Sequence, residues 1–380
     1  MLPERKLTPK VFVPIELLNS NYHGILLGYS NPESSTFNIL STSTFPNSPL
    51  YKAIGKIYKN KPKNIKKHKL FGFREGNDLL FYTNNEQKCE IEIYESKSDI
   101  FSRNSGILES SKMLEKGVII CGCGSVGSLV ALELARSGVG HFLLIDNDTL
   151  SYSNICRHQC GVDDVGRYKV NAIKDKILNI NPQASIQTKV GIVENTEKKY
   201  FDDICVKSSI IVGCGDNRES DIYANHIAKL YKIPFVSIGF WERAFAGEIF
   251  YTSNNNTPCY KCFHECVSKI SGRMTQNRRL YTFEEHLEKT RFEPGISVDI
   301  NFVTIIGIKL ILDLLNADDV DYIPKVINSL TQFTLICNTN DERIGGEMAE
   351  IFSHPLQVTT SIEVPFQGNC ESANCCKLHK

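Results

Sequence analysis

The chain has 380 residues, 42% hydrophobic and 23% charged, with a formal net charge of zero. That length supports two domains and a large core. The charge balance gives no global bias toward nucleic acid or a membrane surface, so neither is an expected partner. The opening MLPERKLTPK lacks the apolar stretch of a signal peptide. The most apolar helical run, residues 303–315, is interrupted by Lys309 and Asp313 and is too short to span a bilayer. Of the fourteen cysteines, two sit in a glycine turn and two form a C-x-x-C. That placement fits thiols and one metal site in a reducing cytoplasm better than a disulfide framework.

Residues 1–97 read as a separate unit. Residues 11–15 and 24–27 are predicted strands. Residues 31–49, rich in Ser, Thr, Asn and Pro, are predicted loop. Residues 50–58 are predicted as a short helix. Residues 71–83 and 89–94 are predicted to pair as strands around Asn84-Asn85. Short helices followed by a hairpin suggest a small winged-helix-like module. Residues 56–69 carry seven lysines and no acid. The run is either a solvated face or a dock for an acidic partner. It has little aromatic interleaving and no DNA-reading motif, whereas an open sheet edge can add an acidic peptide as one more strand. Residues 98–116 are a linker.

The following stretch organises the rest. Residues 118–121 form an apolar strand, followed at once by Gly122-Cys-Gly124-Ser-Val-Gly127 and a helix with Val126, Leu129, Val130 and Leu134 on one face. Residues 141–145 give a second strand, closed by Asp146-Asn-Asp148. This is a βαβ unit with a nucleotide fingerprint. Its glycines allow a tight turn, its helix start offers N–H groups to phosphate, and the acid after the second strand can hold a ribose hydroxyl. Asn154, Arg157 and Lys169 follow. Ile210-Ile-Val-Gly-Cys-Gly-Asp216-Asn217 is another strand ending in an acid. A nicotinamide cofactor has no reacting phosphate and little use for these cations. Attack at the α-phosphate of ATP builds negative charge that cations neutralise, and an acid at a strand end can hold Mg²⁺.

Further on, residues 165–180 are a predicted helix, 185–193 a strand, 220–231 a helix, and 235–238 and 247–251 strands. This alternation predicts a doubly wound, mostly parallel α/β sheet with ligands at the carboxyl ends of its strands. Cys259 and Cys262 form half of a metal site. Residues 264–291 are expected to cross over the active site as a loop. Residues 304–316 are a predicted helix, 331–337 a late strand and 341–369 irregular.

GCGSVG, IDND, SNICRHQ, DDVGRYK and CGDN occur in the order and spacing of the ThiF/MoeB adenylyltransferases, relatives of ubiquitin-activating enzymes. The resemblance covers residues 100–340. It implies an ATP-binding domain over 117–345 and a tail, 346–380, that closes a zinc site. Asp146, with Gly122, Gly124, Gly127, Asp148 and Asn217, would bind ATP. Asn154, Arg157 and Lys169 would contact its phosphates, and Asp216 would hold Mg²⁺. Cys259 and Cys262 would share Zn²⁺ with Cys370 and Cys375, with Cys376 as a competitor. In dimeric relatives an arginine before the nucleotide domain reaches the partner's site, so Arg103 would act in trans within a homodimer. Sulfur-transferring relatives carry a cysteine before the segment matched by Pro294-Gly-Ile296, where this sequence has Thr290-Arg-Phe-Glu293. Cys266 is read as structural or incidental. With the extra N-terminal module, these departures resemble the peptide-modifying members of the microcin-maturation and pantocin-biosynthesis type. The implied reaction is ATP- and Mg-dependent adenylation of a carboxylate on a ribosomal precursor peptide during antibiotic biosynthesis. The alternatives are activation of a ubiquitin-like or sulfur-carrier C-terminus, and a peptide-binding scaffold without catalysis.

Overall fold

The computed structural model describes residues 8–40, 51–62, 68–205, 209–253, 257–267, 294–352 and 358–366. It divides into two units, Met1–Ser105 and Gly106–Lys380.

The first unit contains β1 (Lys10–Pro14), α1 (Ile15–Leu18), β2 (Gly24–Asn31), β3 (Thr36–Leu40), β4 (Lys52–Tyr58), β5 (Leu70–Glu75), β6 (Asp78–Thr83), β7 (Glu90–Tyr94) and α2 (Ser96–Asp99). Its strands form one mixed sheet in the order β6-β5-β4-β2-β3-β1-β7. Val11, Val13, Leu26, Ile39, Ile57, Leu70 and Phe81 fill one core against it.

Four expectations change here. The segment expected as a helix is strand β4, antiparallel to β2 and parallel to β5. Ile54 and Ile57, both buried, stand three residues apart and imitate a helical period. Yet β-branched and aromatic residues around Gly55 favour a strand. A Cβ on Gly55 would lie 2.4 Å from the Leu70 carbonyl oxygen, so the two backbones meet only because the residue is glycine. Second, the run 71–83 is a hairpin of its own, β5 and β6. Gly76, at φ +63°, opens the two-residue turn between Glu75 and Asp78. The strand β7 pairs parallel with β1 instead. Third, the winged-helix expectation is not confirmed: the described helices before residue 100 are four residues long. The loop expected over 31–49 includes strand β3.

The second unit runs α3 (Ser110–Leu114), β8 (Gly117–Cys121), α4 (Ser125–Arg136), β9 (His141–Asp146), α5 (Lys169–Ile180), β10 (Ser185–Val190), α6 (Lys198–Ile204), β11 (Ser209–Gly213), α7 (Arg218–Tyr231), β12 (Phe235–Phe240), β13 (Ala246–Thr252), α8 (Tyr260–Val267), α9 (Ser297–Leu315), β14 (Phe333–Cys337), α10 (Glu342–Gly345) and β15 (Val358–Ile362). Its eight strands are ordered β10-β9-β8-β11-β12-β13-β14-β15. The first five are parallel and the last three join antiparallel. The expected α/β sheet is therefore present, as a Rossmann-like half with an antiparallel extension. The region expected to be irregular contributes strand β15 to it.

β8 and β11 are buried along their whole lengths and read as unbroken apolar runs, as central parallel strands do. Helices α4 and α9 cover one face of the sheet, and Val130, Leu134, Val303, Ile308 and Ile311 join in its core. Fully burying one such side chain contributes about 1.5–3 kcal/mol. On the opposite face, α6 and α7 pack Phe201, Ile204, Ala224 and Ile227 against Ile119, Leu143 and Ile211. Strand order reverses between β8 and β11, which opens a crevice at their carboxyl ends. No described helix is long and apolar enough to cross a membrane.

Candidate functional site

Each glycine of the turn after β8 meets a different geometric demand. Gly122 sits at φ +94°, where an L side chain is strained, and a Cβ there would lie 2.8 Å from the Gly215 nitrogen. Gly127 lies in the first turn of α4. A Cβ there would come within 1.9 Å of the Gly122 carbonyl oxygen, so glycine lets the helix close on the strand. Gly124 faces the other way: a Cβ there would meet nothing within 4 Å. It stands at the N-cap of α4 without a side-chain cap, so its open side lies beside the positive end of a twelve-residue helix.

Asp146 ends β9 and reaches back across the turn. Its Oδ2 accepts from the Cys123 backbone N–H at 2.6 Å, and its Oδ1 accepts from the Asp148 N–H at 2.7 Å. A charge-assisted bond of this kind contributes about 1.5–3 kcal/mol. Asp148 is exposed, and its Oδ2 accepts from the Lys169 Nζ at 2.7 Å. Lys169 is buried at the start of α5, and its backbone N–H donates to the Asp148 carbonyl. The Thr149–Tyr168 bridge ties the same two segments together.

On the other side of the crevice, the Cys214 N–H donates to the Cys121 carbonyl at 2.8 Å, which sets the 214–217 loop beside the glycine turn. Asp216 and Asn217 are exposed at the end of β11. Asn217 caps α7, its Oδ1 accepting from the Glu219 N–H at 2.9 Å. Asn154 also braces its own loop, with its Oδ1 accepting from the Ser151 N–H and Oγ, each at 3.0 Å. Arg157 is half-buried, and a Cβ on Gly295, just before α9, would lie 3.6 Å from its Nη1. The structure thus gathers the glycine turn, Asp146, Asp148, Lys169 and the Asp216 loop at one end of the sheet. Arg103 is exposed in the first unit.

Several residues that the sequence reading did not single out also shape this end. His158, buried beneath the glycine turn, hydrogen-bonds through Nε2 to the Cys123 carbonyl at 2.9 Å. Its only signal in the sequence was its place directly after Arg157. Arg218, next to Asn217, is buried and paired with Glu248 of β13 at 3.3 Å. Glu248 also accepts from the Trp241 indole N–H at 3.0 Å. Arg243 and Ala244, which join β12 to β13, both take φ +53°, a region that non-glycine residues rarely occupy. Nothing in the local sequence announces that turn. Burial pushes the Cys123 thiol well above its usual range, which disfavours its thiolate form.

Cys259 and Cys262 lie at the opposite end. The Tyr260 N–H donates to Asn225, which also bonds Thr252, and Thr252 pairs with Phe235, the first residue of β12. The two buried sulfurs are 3.7 Å apart. Among the described residues no group of three or more metal-ligating side chains is present. Cys370 and Cys375 fall outside the described residues, as does Cys376. The expected crossing loop over 264–291 begins as the last turn of α8, with half-buried Cys266 packed toward the core. Its part beyond residue 267 falls outside the described residues.

Known proteins share parts of this arrangement. The chain is 29% identical over 164 residues to the ubiquitin-like modifier-activating enzyme 5 of Caenorhabditis elegans, covering 40% of this chain and 39% of that protein. It is 30% identical over 156 residues to the molybdopterin-synthase adenylyltransferase of Escherichia coli K12, covering 41% of this chain and 59% of the relative. The matches therefore span well under two thirds of these relatives. Escherichia coli MccB solved with ATP shares the fold at a TM-score of 0.51 and 21% identity, over 73% of this chain and 75% of that one. MccB solved with AMPCPP and MccA also gives 0.51, at 20% identity over 73% and 74%. Residues 99–336 match the ThiF family across the glycine turn and both acid-tipped strands, and the chain belongs to that family.

Proposed function

We propose that this chain is an ATP-dependent adenylyltransferase that activates a carboxylate of a ribosomal precursor peptide. One observation carries the reading. Gly124 faces open space at a helix start without a side-chain cap, in the crevice where strand order reverses, and Asp146, Lys169 and Asp216 lie at the same end of the sheet. A triphosphate would suit this end of the sheet, because backbone N–H groups, a helix dipole and a buried cation all favour negative charge there.

In this reading Asp146 keeps its backbone bonds and uses remaining lone pairs for the ribose hydroxyls. Asp148 holds the Lys169 ammonium at the rim until a phosphate replaces the carboxylate as its partner. Arg157 and the Asn154 amide nitrogen add donors. Gly122, Gly127 and Asn217 shape the backbone around the nucleotide. The peptide carboxylate oxygen attacks the α-phosphorus. The bond from that phosphorus to the bridging oxygen breaks, and pyrophosphate leaves with the electron pair. An amide or carbon nucleophile of the same peptide then displaces AMP. No side chain becomes acylated, so orientation and charge stabilisation carry the rate. Asp216, exposed beside the turn, would hold Mg²⁺, which supplies further neutralisation of the leaving pyrophosphate.

The test is direct: purified protein, ATP and a short candidate precursor peptide, sought in the reading frames beside its gene, should yield AMP and a peptide changed in mass. The curated relatives favour a second reading, since one is named for ubiquitin-like modifier activation and another for molybdopterin synthase. AMP formation with a Gly-Gly-tailed carrier protein, and none with a peptide, would select it.

The glycines give a paired prediction. Gly124→Ala places its methyl in the open volume, so melting should stay within a few degrees while ATP affinity falls at least about tenfold. Gly127→Ala drives its methyl into a backbone carbonyl and should cost about 1–3 kcal/mol of stability. Calorimetric melting and ATP titration separate the two effects. Equal melting losses in both variants would contradict the division of labour.

The same reading extends to the expected partners. Residues 1–97, with their lysine-rich run and β7 as the end strand of their sheet, are proposed to bind an acidic leader segment. The chain is proposed to act as a homodimer in a reducing cytoplasm. On α9, Val298, Phe302 and Ile305 form an exposed apolar stripe that supports self-association. Zn²⁺ is proposed on Cys259, Cys262, Cys370 and Cys375. Two thiolates on one tetrahedral zinc stand about 3.8 Å apart, given Zn–S bonds of about 2.3 Å, and Cys259 and Cys262 stand at 3.7 Å. Elemental analysis should find about one zinc per chain, and its chelation should lower the melting temperature without touching the nucleotide turn. A folded, metal-free protein would remove the zinc.

A further inference from the structure

Cys123 sits at the centre of the glycine turn, and both faces of its backbone are held by side chains. Asp146 takes its N–H at 2.6 Å, and His158 meets its carbonyl at 2.9 Å. The other ring nitrogen of His158 faces the Cys160 N–H at 3.0 Å. A backbone N–H only donates, so Nδ1 carries the lone pair. The single ring proton then sits on Nε2 and donates to Cys123. Both ring nitrogens are committed, in opposite senses, to two backbone groups far apart in sequence.

We propose that neutral His158 is a positioning residue for nucleotide binding: as the Nε2–H tautomer it locks the Cys123 peptide so that the glycine turn stays open, and its protonation releases that lock. An imidazolium would carry N–H groups on both sides. Its Nδ1–H would point at the Cys160 N–H, two donors facing each other, so the Cys160 bond is lost and the repulsion drives the ring from the position in which it holds Cys123. The site inherits a titration at the base of its phosphate loop, through a residue that never touches the nucleotide. The proposal rests on the nucleotide reading of this turn.

The surroundings favour the neutral ring. Burial lowers the affinity of His158 for a second proton below the ordinary imidazole value. The Lys169 ammonium on α5 pushes the same way. The Cys123 carbonyl bond, Asp146 at the end of β9 and Asp164 ahead of α5 oppose it without reversing the direction. The sign follows. A histidine whose folded pKa is depressed contributes its stabilisation above the unfolded value of about 6.5, and loses it as pH falls through the lower folded value. The turn should therefore be intact at neutral pH and loosen in acid.

Full-length protein and its His158→Gln variant provide the test, with Mg-ATP as the probe in calorimetric titrations from pH 8 to pH 5. Glutamine offers one acceptor and one donor and does not titrate. The titration of ATP's own phosphate cancels in the ratio of the two dissociation constants. At pH 8 the two proteins should bind within about threefold of each other, since a replaced neutral bond is worth little net energy. By pH 5 the wild type should have weakened relative to the variant by about threefold or more, a factor that grows as pH falls. A ratio that stays flat to pH 5 would overturn the proposal. Ring ¹⁵N NMR of the wild type at pH 8, which needs neither ATP nor a folded variant, should report a neutral Nε2–H ring for His158. An Nδ1–H or charged ring would also overturn it. If wild type binds no ATP at pH 8 the nucleotide reading itself fails, and the ring spectrum still decides the tautomer.

Discussion

Asp216→Ala should abolish ATP–pyrophosphate exchange while leaving the fold untouched. Asp216 is exposed at the carboxyl end of β11, so its removal opens no cavity and the melting temperature should move by less than about 2 °C. Its proposed work is electrostatic and is needed only when the triphosphate is bound and its pyrophosphate departs. Losing a metal ligand at a transferring phosphate removes a few kcal/mol of stabilisation, which is about a hundredfold or more in rate. Asp216→Asn keeps the shape and one oxygen ligand and should retain part of the exchange. Normal exchange in Asp216→Ala would move the magnesium to another acid at the same end of the sheet, Asp148 among them.

Arg103→Ala should be nearly as damaging, and its defect should be repairable by a second chain. Arg103 is proposed to donate its guanidinium to the partner's phosphates, and an isologous dimer repeats that donation twice. Losing one well-placed cation costs about a hundredfold in rate. Mixing Arg103→Ala chains with Asp216→Ala chains then builds one complete site per heterodimer. It combines the intact pocket of the first chain with the arginine of the second. Exchange should return to at most about half of the wild-type level per heterodimer. If subunits exchange and activity stays absent, Arg103 acts within its own chain or not at all.

What the sequence disclosed and what it hid divide along a physical line. The second unit was legible because its signals are local and strong. β8 and β11 are uninterrupted apolar runs that end directly in glycines, and β9 and β11 lead into an acid. Those features fix a βαβ unit and put Asp146 and Asp216 at strand ends before any contact is known. The first unit was poorly legible because its pairings are long-range. β7 joins β1 across some eighty residues, and β4 joins both β2 and β5, so neither partner is visible in the local pattern. Ile54 and Ile57 even carry the wrong period. The Gly76-Asn77 turn was a local signal that went unread.

Within the site, residue types were easier to find than their partners. Lys169 and Asp148 both stand out in sequence, but their 2.7 Å ion pair depends on how α5 starts against the loop after β9. Asn217 reads as a ligand group and serves first as a helix cap. His158 was hidden for the opposite reason: its partners are backbone groups, which carry no mark of identity in a sequence. The same holds for the strained Arg243–Ala244 turn.

The open glycine turn is proposed to bind ATP and hand AMP to a peptide carboxylate. Isotope exchange between labelled pyrophosphate and ATP measures this most directly, because label enters ATP only if adenylation occurs and reverses. The wild-type chain should catalyse exchange that depends on both magnesium and the precursor peptide. Exchange should disappear when the peptide's reacting carboxylate is converted to its amide. ATP binding with no exchange in the presence of the peptide would contradict the account.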